Sequence, residues 1–286
     1  MTSFLQFFIT GLSIGCIYGI IALGFVIIFN ATDIVNLAQG EFVMLGGMVM
    51  AFFSVILGLP MILSFVLTLI VVVLVGCVLH FLVRLSPKRA PLMTLILITI
   101  AFSIIISGGA KTLWGTDPQI VPPFSKGGTI LISGVSVQPQ ILWTMGVSLL
   151  VILAMYVFFK MTIYGKAMRA CSENPLAAGL LGVNPTRMAL VSFCLSGGLG
   201  AMAGIIITPL ILMDYQSGLM LGLKGMTAAV LFGFTSAGGA FFGGLLLGLS
   251  EGLGAGLISS AYKDAIAFGV LIIYVFAVRK RMREQI

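Results

Sequence analysis

Three features of the sequence predict an all-α, polytopic integral membrane protein. Of 286 residues, 60% are hydrophobic and 8% charged, whereas a soluble domain carries about 25% charged residues. Apolar runs recur from end to end at the roughly 20 residues that a bilayer's hydrocarbon core demands. Glycine recurs at every fourth position in an early run (Gly11, Gly15, Gly19) and a late one (Gly244, Gly248, Gly252, Gly256), with Gly200 and Gly204 as a further pair. Residues four apart share a helix face, and glycine there lets two backbones approach closely. The expectation is about eight or nine transmembrane or half-spanning helices in a glycine-packed bundle, forming one domain over residues 1–286.

In chain order, apolar runs predict spans near 4–30, 42–58, 61–83, 92–110, 141–159 and 188–213, a broken region 221–258 and a last span near 264–278. The opening MTSFLQFF lacks the basic flank of a signal peptide, so the first run is read as a retained span. Pro118, Pro122, Pro123, Gly127 and Gly128, with Trp114, punctuate 111–140 and predict an irregular folded loop.

The net charge is +7, yet the basic residues form no single patch that would serve nucleic acid. They cluster as Arg84, Lys88 and Arg89; as Lys160, Lys166, Arg169 and Arg187; and as Arg279, Lys280, Arg281 and Arg283. Lys111, Lys126, Lys224 and Lys263 are scattered. By the positive-inside rule the clusters mark the cytoplasm. That places the N-terminus and 111–140 outside, and 160–187 and the C-terminus inside. The stretch 221–278 must then cross an odd number of times. Three crossings fit if Gly222–Phe234 is a short or half-spanning helix.

Polar residues interrupt this pattern twice. FNATDIVNLAQGEF, Phe29 to Phe42, sets Asn30, Asp33, Asn36, Gln39 and Glu41 between two apolar runs. Polar groups at membrane depth are costly and face a bundle interior or water-filled cavity, and broken helices present backbone groups to substrate in transporters. The same residues also suit an exposed turn whose side chains cap helices. Later, Asp214 to Ser217, Gly222 to Gly225 and Thr235 to Gly239 divide the region into short pieces. A span, an acidic break and a shortened helix thus occur in both halves, a hint of an internal repeat. Glu251 is expected either buried with a partner or at a water-facing end.

Nothing in the chain supports catalysis or metal binding. It contains no HExxH, GxSxG or CxxC, and its one histidine, His80, ends a span. Cys16, Cys77, Cys171 and Cys194 are read as free thiols, the three in apolar runs packed as small hydrophobes. No GxxxxGK[ST] is present, so no P-loop binds ATP here.

The loop 160–187 contains ACSENPLAAGLLGVN, Ala170 to Asn184. Asn174 then Pro175 is a helix start, in which Asn caps free N–H groups and Pro has none to satisfy. Leu176, Ala177, Ala178, Leu180 and Leu181 form the body, Gly182 the stop, and Asn184–Pro185 repeats the start signal. A helix over about 174–182 is too short to stand alone in water. Its leucines must be covered either by the protein's own underside or by a groove on a partner.

Three segments carry a resemblance. GKAMRACSENPLAAGLLGVNPTR from Gly165 is similar to the cytoplasmic loop of ATP-binding-cassette (ABC) permeases of the branched-chain amino-acid (LivH) family. So is the opening, where Asn36, Ala38, Gln39, Gly40, Glu41 and Phe42 form the family's N-x-A-Q-G-E-F run, and the late LFGFTSAGGAFFGGLLLG. The resemblance implies a subunit that imports branched-chain or other hydrophobic amino acids across the cytoplasmic membrane of a bacterium or archaeon. It implies a coupling helix at Glu173, Asn174, Pro175, Leu176, Ala177, Ala178, Leu181 and Gly182 that docks on an ATPase. The implied partners are a second, LivM-type permease, two ABC ATPases and a periplasmic or lipid-anchored binding protein. This chain would hold no cofactor, ATP and Mg residing on the partners. The older EAA consensus is replaced by Ser172-Glu173-Asn174-Pro175, usual for the branched-chain type. Permeases for urea and short amides look much alike, and an ion-coupled secondary transporter is the remaining alternative.

Overall fold

The computed structural model describes residues 2–87, 90–125, 128–132, 135–234, 236–257, 259 and 262–283. The readings at Lys88, Arg89, Lys126, Gly127 and Thr235 lie outside the described residues, as do the side chains of Arg279 to Arg283. The chain opens with α1 (Thr2–Thr32), α2 (Gln39–Ala51), which runs on into a π-helical turn (Phe52–Ile56), α3 (Met61–Leu85) and α4 (Leu92–Trp114). A small hairpin of β1 (Ile130–Ile132) and β2 (Val135–Val137) precedes α5 (Pro139–Met161), α6 (Ile163–Glu173) and α7 (Pro175–Leu180). The rest is α8 (Pro185–Ile207), α9 (Ser217–Leu231), α10 (Ala237–Leu257) and α11 (Lys263–Arg283). Among the described residues, seven helices are long and apolar enough to cross a membrane; α9, at 15 residues, is shorter.

The two glycine ridges meet each other. A Cβ on Gly248 would lie 2.2 Å from the Cα of Gly15, and one on Gly252 2.5 Å from that of Gly11. One on Gly15 would lie 2.9 Å from the Gly244 carbonyl oxygen. α1 and α10 therefore touch backbone to backbone along an antiparallel seam, which only hydrogen side chains permit. Gly200 and Gly204 do the same for α8 against Phe42, Val43 and Gly47 of α2. Around this centre, α3, α4 and α5 turn apolar side chains such as Leu74, Ile104 and Leu150 outward and small polar ones inward. On α3 the buried set Ser64, Thr68, Val72 and Gly76 repeats every four residues. In a membrane the outer face meets hydrocarbon, so amphipathicity runs opposite to that of a soluble helix.

The bundle has two distinct ends. Asn30, Lys160, Arg169, Glu173 and Ser236 line one cavity at the basic end, whereas Gln6, Gln138, Asp214 and Lys263 line another beside the hairpin. Several expectations are corrected. Gly222 to Gly225 is no break, because α9 runs through it. These glycines instead admit neighbours: a Cβ on Gly222 would sit 3.0 Å from the Cα of Gly40, and one on Gly225 2.2 Å from Cγ2 of Ile21. The run 188–213 ends as helix at Ile207, beyond which Met213 bridges Gln119 of the 111–140 loop. That loop is not wholly irregular, since it carries the hairpin, and 160–187 holds α6 as well as α7. Cys77 and Cys194 bring their Sγ atoms to 3.1 Å between α3 and α8, both as free thiols. His80 is buried, its ring 5.5 Å from that of Phe193.

Candidate functional site

The first polar break ends α1 through a backbone reversal. Asp33 adopts φ 57°, the left-handed region that Asp tolerates better than most residues. Asn36 then turns the chain, its Oδ1 accepting the Ala38 N–H at 3.1 Å and its carbonyl the Gln39 N–H at 3.1 Å. The Leu37 N–H donates to Thr99 Oγ1 of α4 at 3.2 Å. Away from water each such group needs a partner, and here side chains supply several of them.

α2 therefore starts deep inside the bundle. Gln39 donates from Nε2 to the Ser196 carbonyl oxygen at 3.2 Å, and the Ser196 hydroxyl lies between the Gly24 carbonyl oxygen, at 3.0 Å, and Gln39 Oε1. Glu41 accepts the Ser103 hydroxyl on Oε1 at 2.9 Å. Ser103 is the midpoint of α4 and Ser196 the midpoint of α8, so the break sits halfway through the spanning layer. Asn36, Gln39 and Glu41 are 0%, 0% and 3% exposed, which removes the exposed-turn reading for these three. Glu41 Oε2 and Asn36 Nδ2 are buried and have no hydrogen-bond partner among the described residues, an uncommon state that asks for an explanation. Glu41 opens on a cavity of about 520 Å³ shared with Ser103, Ser107, Lys111 and Tyr215 and walled by Phe25 and Leu219. The five residues expected together do not form one group. Asp33 is exposed, and Asn30 is half-buried on the cavity at the basic end. The chain turns between them and Asn36, which carries the later three to greater depth.

The second region is α6–α7. Thr162 caps α6, its Oγ1 accepting the Gly165 N–H at 3.0 Å, and Gly165 lets the helix fold onto the backbone of Phe158 and Phe159. Asn174 Oδ1 accepts from Leu176 at 3.1 Å and Ala177 at 3.0 Å, the cap expected from Asn–Pro. Gly182 has φ 87°, and Asn184 Oδ1 takes the Arg187 N–H at 3.2 Å to start α8. Within α7 only Ala178 is buried. Leu176, Leu180 and Leu181 are 82%, 91% and 84% exposed, so none of the described residues covers them. Glu173, Asn174, Pro175 and Ala177 are on the surface as well, as is Gly182 at the stop.

Sequence reasoning missed Ser103 and Ser196, single serines inside apolar runs with nothing to distinguish them from other spans' serines. It also missed α6, although Gly165, Met168 and Cys171, three apart, are its buried face.

A family model described as "Branched-chain amino acid transport system / permease component" matches residues 7–275. The chain is 28% identical over 94% of its length, and 92% of the relative's, to the high-affinity branched-chain amino acid transport system permease protein LivH of Salmonella typhimurium. It is 29% identical, with the same coverages, to the corresponding permease protein BraD of Pseudomonas aeruginosa. Among solved structures, PsaBC from Streptococcus pneumoniae in complex with Fab aligns with a TM-score of 0.50 and 18% identity, over 96% of this chain and 91% of that one. At that identity the likeness concerns fold alone.

Proposed function

We propose an import role from one premise: the chain belongs to the branched-chain amino acid transport system permease family. It is thus a permease component, not an enzyme, and a multi-pass inner-membrane protein. Membership of an ABC importer family implies an ATPase and a substrate-binding partner. The cargo we assign is branched-chain or other hydrophobic amino acids, in keeping with the names of the LivH and BraD relatives. The full assembly would contain a second LivM-type permease, two ATPases that hold ATP and Mg, and a periplasmic or lipid-anchored binding protein.

The observation that carries the coupling role is α7, a six-residue helix fixed at both ends, whose Leu176 and Leu180, with Leu181 at the C-cap, are exposed. A helix of that length draws its stability from packing, and an exposed apolar cluster marks an interaction surface. The basic end is the cytoplasmic one in this reading, so α7 faces the ATPase, and the N-terminus lies outside. ATP-driven closure of the ATPases would displace α7, and the glycine-sealed bundle would rock as a nearly rigid body. Two states that ATP stabilises unequally are what alternating access requires. Asn36, Gln39 and Glu41, at mid-depth with two polar atoms still unpaired, would line the pathway beside the partner permease.

The test is purification of the tagged chain in mild detergent at native expression, with mass spectrometry of what accompanies it. A stoichiometric P-loop ATPase is expected, lost on Leu176→Arg or Leu181→Arg. Uptake by the reconstituted complex should be competed by isoleucine and not by urea. A chain that arrives alone yet carries solute down an ion gradient would refute the ABC reading.

A further inference from the structure

Between α1, α9, α10 and α11, at the hairpin end, lies a cavity of about 690 Å³, within the roughly 300–1,000 Å³ usual for small-ligand sites. Its charged floor is a cluster in which Glu251 proves to be buried and partnered. Lys224 Nζ donates to Glu251 Oε1 at 2.8 Å and to Asp264 Oδ1 at 2.7 Å. Tyr18 donates its hydroxyl to Glu251 Oε2 at 2.8 Å, and the lysine sits 5.5 Å from the Tyr18 ring centre. The side chains of Lys224 and Glu251 are 7% and 6% exposed, while that of Asp264 is 47% exposed toward the cavity. Lys224 is the midpoint of α9, and its charge is withdrawn almost entirely from solvent. A well-packed apolar set would join these helices as firmly.

We infer that this cluster is a transit site for the ammonium and carboxylate groups of a free aliphatic α-amino acid. The inference rests on the import reading above and names the chemistry by which the cavity would hold its cargo. Lys224 has three donors, two engaged by the carboxylates, which leaves one for an incoming carboxylate. Ser13, 1% exposed and lining the same cavity, has a hydroxyl without a partner among the described residues and supplies a second donor. Asp264 uses Oδ1 on the lysine, so Oδ2 is left to accept an ammonium. Asp214, another carboxylate on the rim, directs Oδ1 to Ser217 and Gln216 at the start of α9. Ile9, Ile14, Ile141, Ile207 and Leu210 wall the rest, a surface for a branched side chain. A zwitterion adds no net charge, and the cost of desolvating its ammonium and carboxylate is offset because each meets a counter-group of the site. A simple cation would leave the Lys224 and Ser13 donors unused.

The experiment uses the whole complex in proteoliposomes, with Gln216→Cys at the cavity rim as a reporter for a membrane-impermeant thiol reagent. The unsubstituted chain supplies the background from its native cysteines. Millimolar isoleucine should slow modification about threefold, as two-thirds occupancy implies. Neither 3-methylpentanoate, which lacks the ammonium, nor 2-methylbutylamine, which lacks the carboxylate, should do so. Protection should vanish in Lys224→Met, Ser13→Ala and Asp264→Asn and return in Asp264→Glu. The Asp264 and Ser13 variants carry the test if Lys224→Met fails to assemble. Equal protection by the analogues, or protection that survives in the variants, would show that the cluster only locks the helices. Uptake of isoleucine without any protection overturns the transit site and leaves the import role standing, whereas absence of both overturns the import role as well.

Discussion

The break at 33–41 and the turn at 174–182 invert the usual rule of burial in opposite senses. The first buries an asparagine, a glutamine and a glutamate at the middle of the bundle. The second exposes two leucines on a helix of six residues and a third, Leu181, at its C-cap. Each is built with ordinary turn chemistry, an Asn side chain on backbone N–H groups in both cases. What differs is the surroundings: α8, α9 and α4 close over the first, and none of the described residues closes over the second. A polar group kept dry and an apolar group kept bare are both costly unless something else completes them. In the function proposed above, a permeant solute would complete the break and a partner protein the turn.

The sharpest way to break this contrast is at the two glycines that accompany it. Gly40→Ala should cause the largest effect, because the new Cβ would lie 2.0 Å from the Gly218 carbonyl oxygen and 2.7 Å from the Gly222 Cα. Backbone cannot yield as a side chain can, so a loss of about 3 kcal/mol is expected, at the upper end for an overfilled core. Thermal denaturation followed by size-exclusion chromatography should show a lower midpoint and a smaller folded fraction. An unaltered midpoint would mean that α2 and α9 are not held in contact.

Glu41→Gln comes next. It keeps an acceptor for Ser103 while replacing the ionisable carboxyl, so assembly with the ATPase should persist and uptake fall about tenfold, equivalent to roughly 1.4 kcal/mol of barrier. If uptake and substrate-stimulated ATP hydrolysis both match the parent complex, Glu41 is a packing residue and not part of the route. Asn174→Ala, on the exposed side, loses the cap for about 1 kcal/mol of helix stability. The complex should dock its ATPase about fivefold more weakly, with no change in the melting midpoint of the isolated chain. Gly179→Ala should have the smallest effect. It has open space around it, and alanine favours a helix interior over glycine by about 1 kcal/mol. ATPase affinity measured by titration should stay level or tighten by no more than that cap change weakens it. A loss there equal to that of Gly40→Ala would erase the distinction between the two regions.

Much of the architecture was legible because bilayers impose a length and a polarity on any chain that spans them. The apolar runs located α1, α3, α4, α5 and α8 to within a few residues, except at the far end of α8. Asn174–Pro175 and Gly182 located α7, since capping is a local chemistry read over four or five positions. Glycine spacing marked the faces of α1 and α10, but not that those faces meet one another. Gly222 and Gly225 were misread for a related reason. In water glycine loosens a helix, whereas in a bundle it is where another backbone arrives, and only the neighbour reveals which applies. Ser103, Ser196, Lys224 and Asp264 gave no usable signal, for each acquires its role from a residue between 27 and 157 positions away.

The sequence by itself determined what is local or solvent-imposed: the position and length of most apolar helices, their caps and the sidedness suggested by charge. Tertiary structure alone decided depth and partnership. The segment 33–41 could have been a turn in water by composition. Its later part, Asn36 to Glu41, lies at mid-depth because α2 starts level with the midpoints of α4 and α8. Likewise Lys224 and Glu251, scattered along the chain, became an ion pair because α9 and α10 run antiparallel with Ala228 against Gly243. Hydrophobicity is a property of a residue and can be read singly. Desolvation and pairing are properties of a place, and a place exists only once the helices have packed.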